Sequence, residues 1–104
     1  MKALTVDYII KHSKPHPISR MDDRKDARMF QKKIGNYTLS IVGGSQGLYG
    51  DFKNDFEVAL IDDDTNEFVT GKFCKRGDDV LAYADIDEIN EIYFNIPRTS
   101  SDFS

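Results

Sequence analysis

The chain has little of what small proteins use for covalent or cofactor chemistry. It carries one cysteine, Cys74, in 104 residues. A single thiol cannot close an internal bridge, so a disulfide framework is excluded and a reducing compartment is expected. Tryptophan is absent, and the 12% of residues that are aromatic are all Phe and Tyr, so those rings must fill the core. No apolar run approaches the length that crosses a bilayer. Met1-Lys2-Ala3-Leu4-Thr5-Val6-Asp7 interrupts its apolar residues too early for a secretory signal. The expectation is a cytoplasmic protein with no membrane partner.

A chain of this length supports one core without metal or disulfides, and a single domain is expected. Apolar residues make up 39% and charged residues 31%, which suits a thin two-layer domain. Charge is distributed unevenly. Residues 1–50 hold nine Lys/Arg against four Asp and no Glu, a net of +5; residues 51–104 hold five Lys/Arg against fourteen acids, a net of −9. Such asymmetry points either to a charge-complementary partner or to a surface that closes on itself.

Residues 1–12 form an N-terminal element with two readings. Leu4, Val6 and Tyr8 alternate as in a strand; Val6, Ile9 and Ile10 recur as in a short helix capped by Thr5, and the helix is preferred here. Pro15 and Pro17 end it, and 13–28 reads as a charged loop. From Met29 the period becomes two. Phe30, Lys32 and Ile34 alternate, Gly35-Asn36 marks a turn, and Tyr37, Leu39 and Ile41 form the next half-buried strand. Phe56, Val58 and Leu60 make another, Asp62-Asp63-Asp64-Thr65-Asn66 a hairpin loop, and 67–73 a returning strand with Gly71 as a bulge. Asp85-Ile86-Asp87-Glu88 has the form of a capping box. Ile86, Ile89, Ile92, Tyr93 and Ile96 then share one helical face, and Pro97 stops the helix. The expected fold is α+β: a three- to four-stranded antiparallel meander with the C-terminal helix on one face, spanning 29–96, and a frayed tail over 97–104.

Each candidate chemistry fails on a residue. Asp62, Asp64 and Asn66 match alternate ligands of a calcium loop, yet Glu67 stands where glycine is needed and Phe73 where a bidentate Glu belongs. The glycine-rich stretch 43–50 lacks the Lys-Ser/Thr ending of a phosphate loop and leads into a strand. Its Leu48 and Tyr49, with Phe52 beyond, either anchor the loop or present it to a partner. Pro15 breaks the helical spacing of His12 and His16. Cys74 has Lys75 and Arg76 beside it but no His and acid to complete a nucleophile. No catalytic, metal or cofactor site is expected. The basic run Lys25, Arg28, Lys32 and Lys33 carries no nucleic-acid-binding motif, and the chain is acidic overall, so direct nucleic-acid binding is not expected. The acids of 51–104 instead offer a carboxylate surface that competes with phosphate for a basic groove, or simply keep the protein soluble.

Tyr37-Thr38-Leu39-Ser40-Ile41-Val42-Gly43-Gly44, the run Gly47-Leu48-Tyr49-Gly50-Asp51-Phe52, Phe56-Glu57-Val58-Ala59-Leu60-Ile61-Asp62 and Asp78-Asp79-Val80-Leu81-Ala82-Tyr83 together resemble small accessory proteins of tailed bacteriophages. The resemblance covers somewhat more than half of the chain. It implies a non-enzymatic protein in a bacterial cytoplasm that binds a host protein, as inhibitors of the anti-defence or anti-CRISPR kind do. The surface expected to dock on a basic host protein comprises Asp62, Asp63, Asp64, Asp78, Asp79, Asp87, Glu88, Glu91 and Tyr49. The alternative is a small assembly protein that self-associates as a homodimer.

Overall fold

A computed structural model of the chain describes residues 2–20, 26–44, 48 and 50–97. The N-terminal element is a helix, α1 (Val6–Lys11), and Thr5 is its cap, its hydroxyl accepting the Tyr8 N–H at 3.1 Å. Two-residue strand β1 (Lys14–Pro15) and a 3-10 turn (Pro17–Arg20) follow. The meander is β2 (Arg28–Ile34), β3 (Tyr37–Gly43) and β4 (Phe56–Asp62), continued by the two-residue β5 (Glu67–Phe68). Strand β6 (Leu81–Ala84) leads directly into α2 (Ile86–Asn95).

All strand pairs are antiparallel, in the order β1-β2-β3-β4-β5, with β6 also paired to β4. The α+β meander with a C-terminal helix stands, and the sheet is wider than three or four strands. Residues 13–28, expected as loop, supply β1, because Lys14 and Pro15 lie opposite Met29 and Arg28. Pro15 is tolerated there on the sheet's edge. The tight β2–β3 turn has Gly35 at φ +56°, the glycine position of a two-residue hairpin.

The strand expected over 67–73 is the main correction. It ends after Phe68, and Thr70–Lys72 coils into a 3-10 turn. Gly71 does not mark a bulge: a Cβ there would run into the Gly77 carbonyl group, so the chain folds tightly on itself before returning as β6. Strands β5 and β6 therefore share one side of β4. Phe68 and Glu67 lie opposite Ile61 and Asp62 at its end, Ala84 and Leu81 opposite Phe56 and Val58 at its start.

At the seam between them the Leu60 N–H needs an acceptor in a buried place. The Thr70 hydroxyl takes it at 2.8 Å and donates to the Asp79 carbonyl at 2.6 Å, while Val69 N–H bonds the Leu60 carbonyl at 2.8 Å. Thr70 is fully buried. One side chain thus does the work of a missing strand residue.

One sheet face carries both helices. Phe30, Ile34, Leu39, Ile41, Phe56, Val58, Leu60 and Leu81 pack there with Ile9 of α1 and Ile89, Ile92, Tyr93 and Ile96 around α2. Truncating one such aliphatic side chain to Ala typically costs about 2–5 kcal/mol. Asn90 fastens the N-terminal segment to α2, its amide accepting from Leu4 N–H at 2.8 Å and donating to the Leu4 carbonyl at 2.9 Å. The opposite face, with Met29, Gln31, Lys33, Thr38, Ser40, Val42, Ala59, Ile61 and Phe68 by strand alternation, carries neither helix.

Candidate functional site

The acids expected to form one surface are divided by the fold. Asp85 sits one residue past Ala84, opposite Phe56, whereas Asp62 ends the same strand. Six residues of strand separate the two ends by about 20 Å. The acidic start of α2 and the acidic hairpin therefore belong to different places.

The acids around α2 are largely engaged by the fold. Asp85 accepts the Glu88 N–H at 2.8 Å, and Glu88 Oε1 reaches back to the Asp85 N–H at 3.3 Å, a closed capping box. The other oxygen of Glu88 takes Arg76 at 3.2 Å, and Asp78 lies 3.7 Å from the same guanidinium. Arg76 also donates to the Ala82 carbonyl at 3.0 Å. Glu91 accepts the Lys75 N–H at 2.8 Å, and the Asp79 carbonyl holds Thr70. These groups brace the 73–80 loop against the helix. Asp87 is exposed in the first turn of α2, where the helix dipole favours it.

The hairpin acids are bonded within the fold as well, and the Asp63 side chain is as shielded as that of Glu88. Asp63, Asp64 and Glu67 are exposed and Asp62 is half-buried. Local bonds shape the turn: Asp62 Oδ1 accepts the Asp64 N–H at 2.9 Å, Thr38 donates to Asp63 at 2.8 Å, and Asn36 donates to Asp64. Asn66 adopts φ +62° to close it. Lys33 approaches Asp63 at 3.9 Å across an exposed gap, a pairing worth little. Next to these acids Phe68 is 54% exposed, opposite the half-buried Ile61. The alternating pattern places Phe68 in a strand, where it is found. Its exposure follows from β5 being two residues long on an edge, which the alternating pattern could not reveal.

Tyr49 lies outside the described residues. Phe52 is buried and meets Phe56 edge-on at 5.2 Å between ring centres, so it anchors its loop. The adjoining turn is held by Asp51, whose Oδ1 accepts the N–H groups of Lys53 and Asn54 at 2.8 Å and of Asp55 at 3.2 Å. Those bonds from Asn54, Lys53 and Asp55 lower the Asp51 carboxyl to about 2. A cleft of about 780 Å³ beside it is lined by Ile10, Asp26, Arg28, Gly44, Asp51, Phe52 and Lys53 among others. Arg28 is committed to Ser13 at 2.9–3.1 Å and Asp51 to its amides. Among the described residues of the lining no nucleophile is paired with a base.

Cys74 is half-buried, its thiol directed at the Thr70 carbonyl at 3.4 Å. His12 packs on Tyr8, with ring centres 4.3 Å apart. Among the described residues no three His, Cys, Asp or Glu side chains gather to hold a metal ion, and no helix is long and apolar enough to cross a membrane. No protein family, no curated protein and no solved structure matches the chain.

Proposed function

We propose that the chain is a non-enzymatic, phage-like accessory protein that docks the acidic β4–β5 hairpin on a host protein with a basic surface. It acts there as an inhibitor of the anti-defence kind, its carboxylates occupying a groove that otherwise takes nucleic-acid phosphates. The observation that carries this reading is Phe68: a large apolar ring left 54% exposed, on the sheet face without helices, beside Asp62, Asp63, Asp64 and Glu67. An exposed aromatic with a charged surround has the chemistry of an interface anchor. The ring supplies buried area, and the carboxylates steer association and select a basic partner.

The acids of α2 also have exposed rings near them, Tyr83 and Phe94, but Glu88 and Glu91 each hold the 73–80 loop, whereas Glu67 beside Phe68 is exposed. Charge reversal is therefore best placed in the hairpin. Immobilised wild type and a D64K/E67K/F68A variant are compared for capture of proteins from a bacterial lysate, with thermal melting to show that both fold. The reading expects a basic protein retained by the wild type, released by DNA or heparin, and lost by the variant. Retention of the same protein by the variant sinks it. The rival reading, self-association, draws on Ala59, Ile61 and Phe68, which share one sheet face, the first two half-buried and Phe68 exposed. A salt-insensitive dimer by solution mass favours that rival.

A further inference from the structure

We propose that the open edge of β2 is a second binding site, which takes an extended acidic segment of another protein as an added strand. This site is distinct from the hairpin docking and uses the other edge of the sheet, although its Lys33 lies 3.9 Å from Asp63 of that hairpin. Strand β1 covers β2 only at Arg28 and Met29, and the same register continues to His16, whose N–H bonds the Ala27 carbonyl at 3.0 Å. Ladder bonds on one edge recur every second residue. Ala27 and Met29 therefore direct their backbone groups towards β1, and Gln31 and Lys33 direct theirs to the same side. The residues that would lie beside Gln31 and Lys33 belong to the C-terminal turn of α1. Among the described residues no strand pairs with that stretch. Two N–H and two carbonyl groups form a ready template.

The edge is basic, which decides what it accepts. Lys33 is on it, Lys32 follows on the helix face, and Lys11 and Lys14 are exposed where α1 passes into β1. The acid near Lys33 is Asp63, at 3.9 Å and readily exchanged. Edge lysines repel neighbouring strands, and the repulsion depends on sign. A second copy pairing symmetrically would bring lysine against lysine, whereas a carboxylate-bearing strand is attracted. The two faces differ as well. Gln31 and Lys33 emerge on the side without helices; Phe30 emerges on the other, where Tyr8, 41% exposed, meets it at 6.0 Å between ring centres. The favoured segment alternates, with carboxylates beside Lys33 and apolar residues beside Tyr8.

The test is amide exchange on the isotope-labelled chain titrated with a seven-residue peptide of alternating glutamate and valine. Exchange at the Gln31 and Lys33 amides is expected to slow by roughly tenfold or more at saturation. Binding is expected to weaken roughly tenfold in K33E and to fall as salt rises. The proposal is overturned by absence of binding, by binding without slowed exchange at those amides, or by equal binding of a lysine–valine peptide. Slow exchange at Gln31 and Lys33 that disappears on dilution of the chain alone overturns it too, because a second copy then occupies the edge.

Discussion

The two acidic regions of the second half differ in what their carboxylates touch. Around α2, Asp85 and Glu88 close a capping box, Glu88 and Asp78 share Arg76, and Glu91 holds a loop amide. In the hairpin, Asp63 accepts Thr38, Asp64 accepts Asn36, and Glu67 is exposed beside an exposed phenylalanine. A count of −9 over residues 51–104 treats these groups alike. The structure separates carboxylates that brace a loop against a helix from carboxylates that shape a hairpin, where Asp62, Asp63 and Asp64 take local bonds and Glu67 stands exposed beside Phe68, and a negative charge becomes a functional clue only after that separation.

The hardest way to break the comparison is at the contact that holds the Arg76 loop. Gly71 lies against the backbone of Gly77, so Gly71→Ala forces backbone from backbone. Overpacking of this kind costs about 3 kcal/mol, a fall in melting temperature of about 10 °C or more for a domain of this size. Gly77→Ala is the internal control. Its φ of +75° is strained for alanine, yet no atom lies within 4 Å of the added Cβ, so a loss of about 1 kcal/mol is expected. Calorimetric melting of both variants checks the order; equal losses would show that the loop is not held by that contact.

The next test sets a bracing acid against a surface acid. Asp85→Ala removes the cap from α2 and should lower stability by about 1 kcal/mol. Glu67→Ala should stay within about 0.5 kcal/mol, as exposed substitutions away from structural contacts do. Urea unfolding distinguishes the two. A hairpin variant as costly as the cap variant would mean that both acidic regions serve the fold.

The elements that local rules govern were legible in the sequence. Thr5 capping α1, the box at Asp85 and Glu88, the isoleucine spacing of α2 and the alternation through β2, β3 and β4 all depend on neighbours within a turn or a strand. What escaped was decided by residues distant in the chain. Gly71 reads as a bulge until Gly77 folds against it. Strand β6 is four residues long, and its Tyr83 sits at φ +55°, too short and irregular for a period to show. Thr70 looks like one more strand threonine, and only the end-to-end placement of β5 and β6 gives its hydroxyl the Leu60 N–H. The candidate site was half visible for the same reason. The hairpin acids stand out by composition, but the exposure of Phe68 and the engagement of Glu88 and Glu91 require the sheet and the loop to be in place.

The smallest expected effect concerns a third acid that resembles a surface group and behaves as a bracing one. Asp51 is exposed, yet three backbone N–H groups converge on its Oδ1. Bonds of that kind stabilise the charged form, which is why its carboxyl falls from 3.8 to about 2. Because the folded value is the lower one, ionised Asp51 favours the folded state above the unfolded value, and that contribution is lost as pH falls through about 2. Asp51→Asn keeps an oxygen for the turn and removes the charge. Its melting temperature should lie slightly below that of the wild type at pH 6, and the gap should close between about pH 4 and pH 2. The effect is small because water screens an exposed group. A gap that is the same at pH 6 and pH 2 would show that the side chain's shape, and not its charge, holds the turn. Asp51 would then belong with neither acidic region.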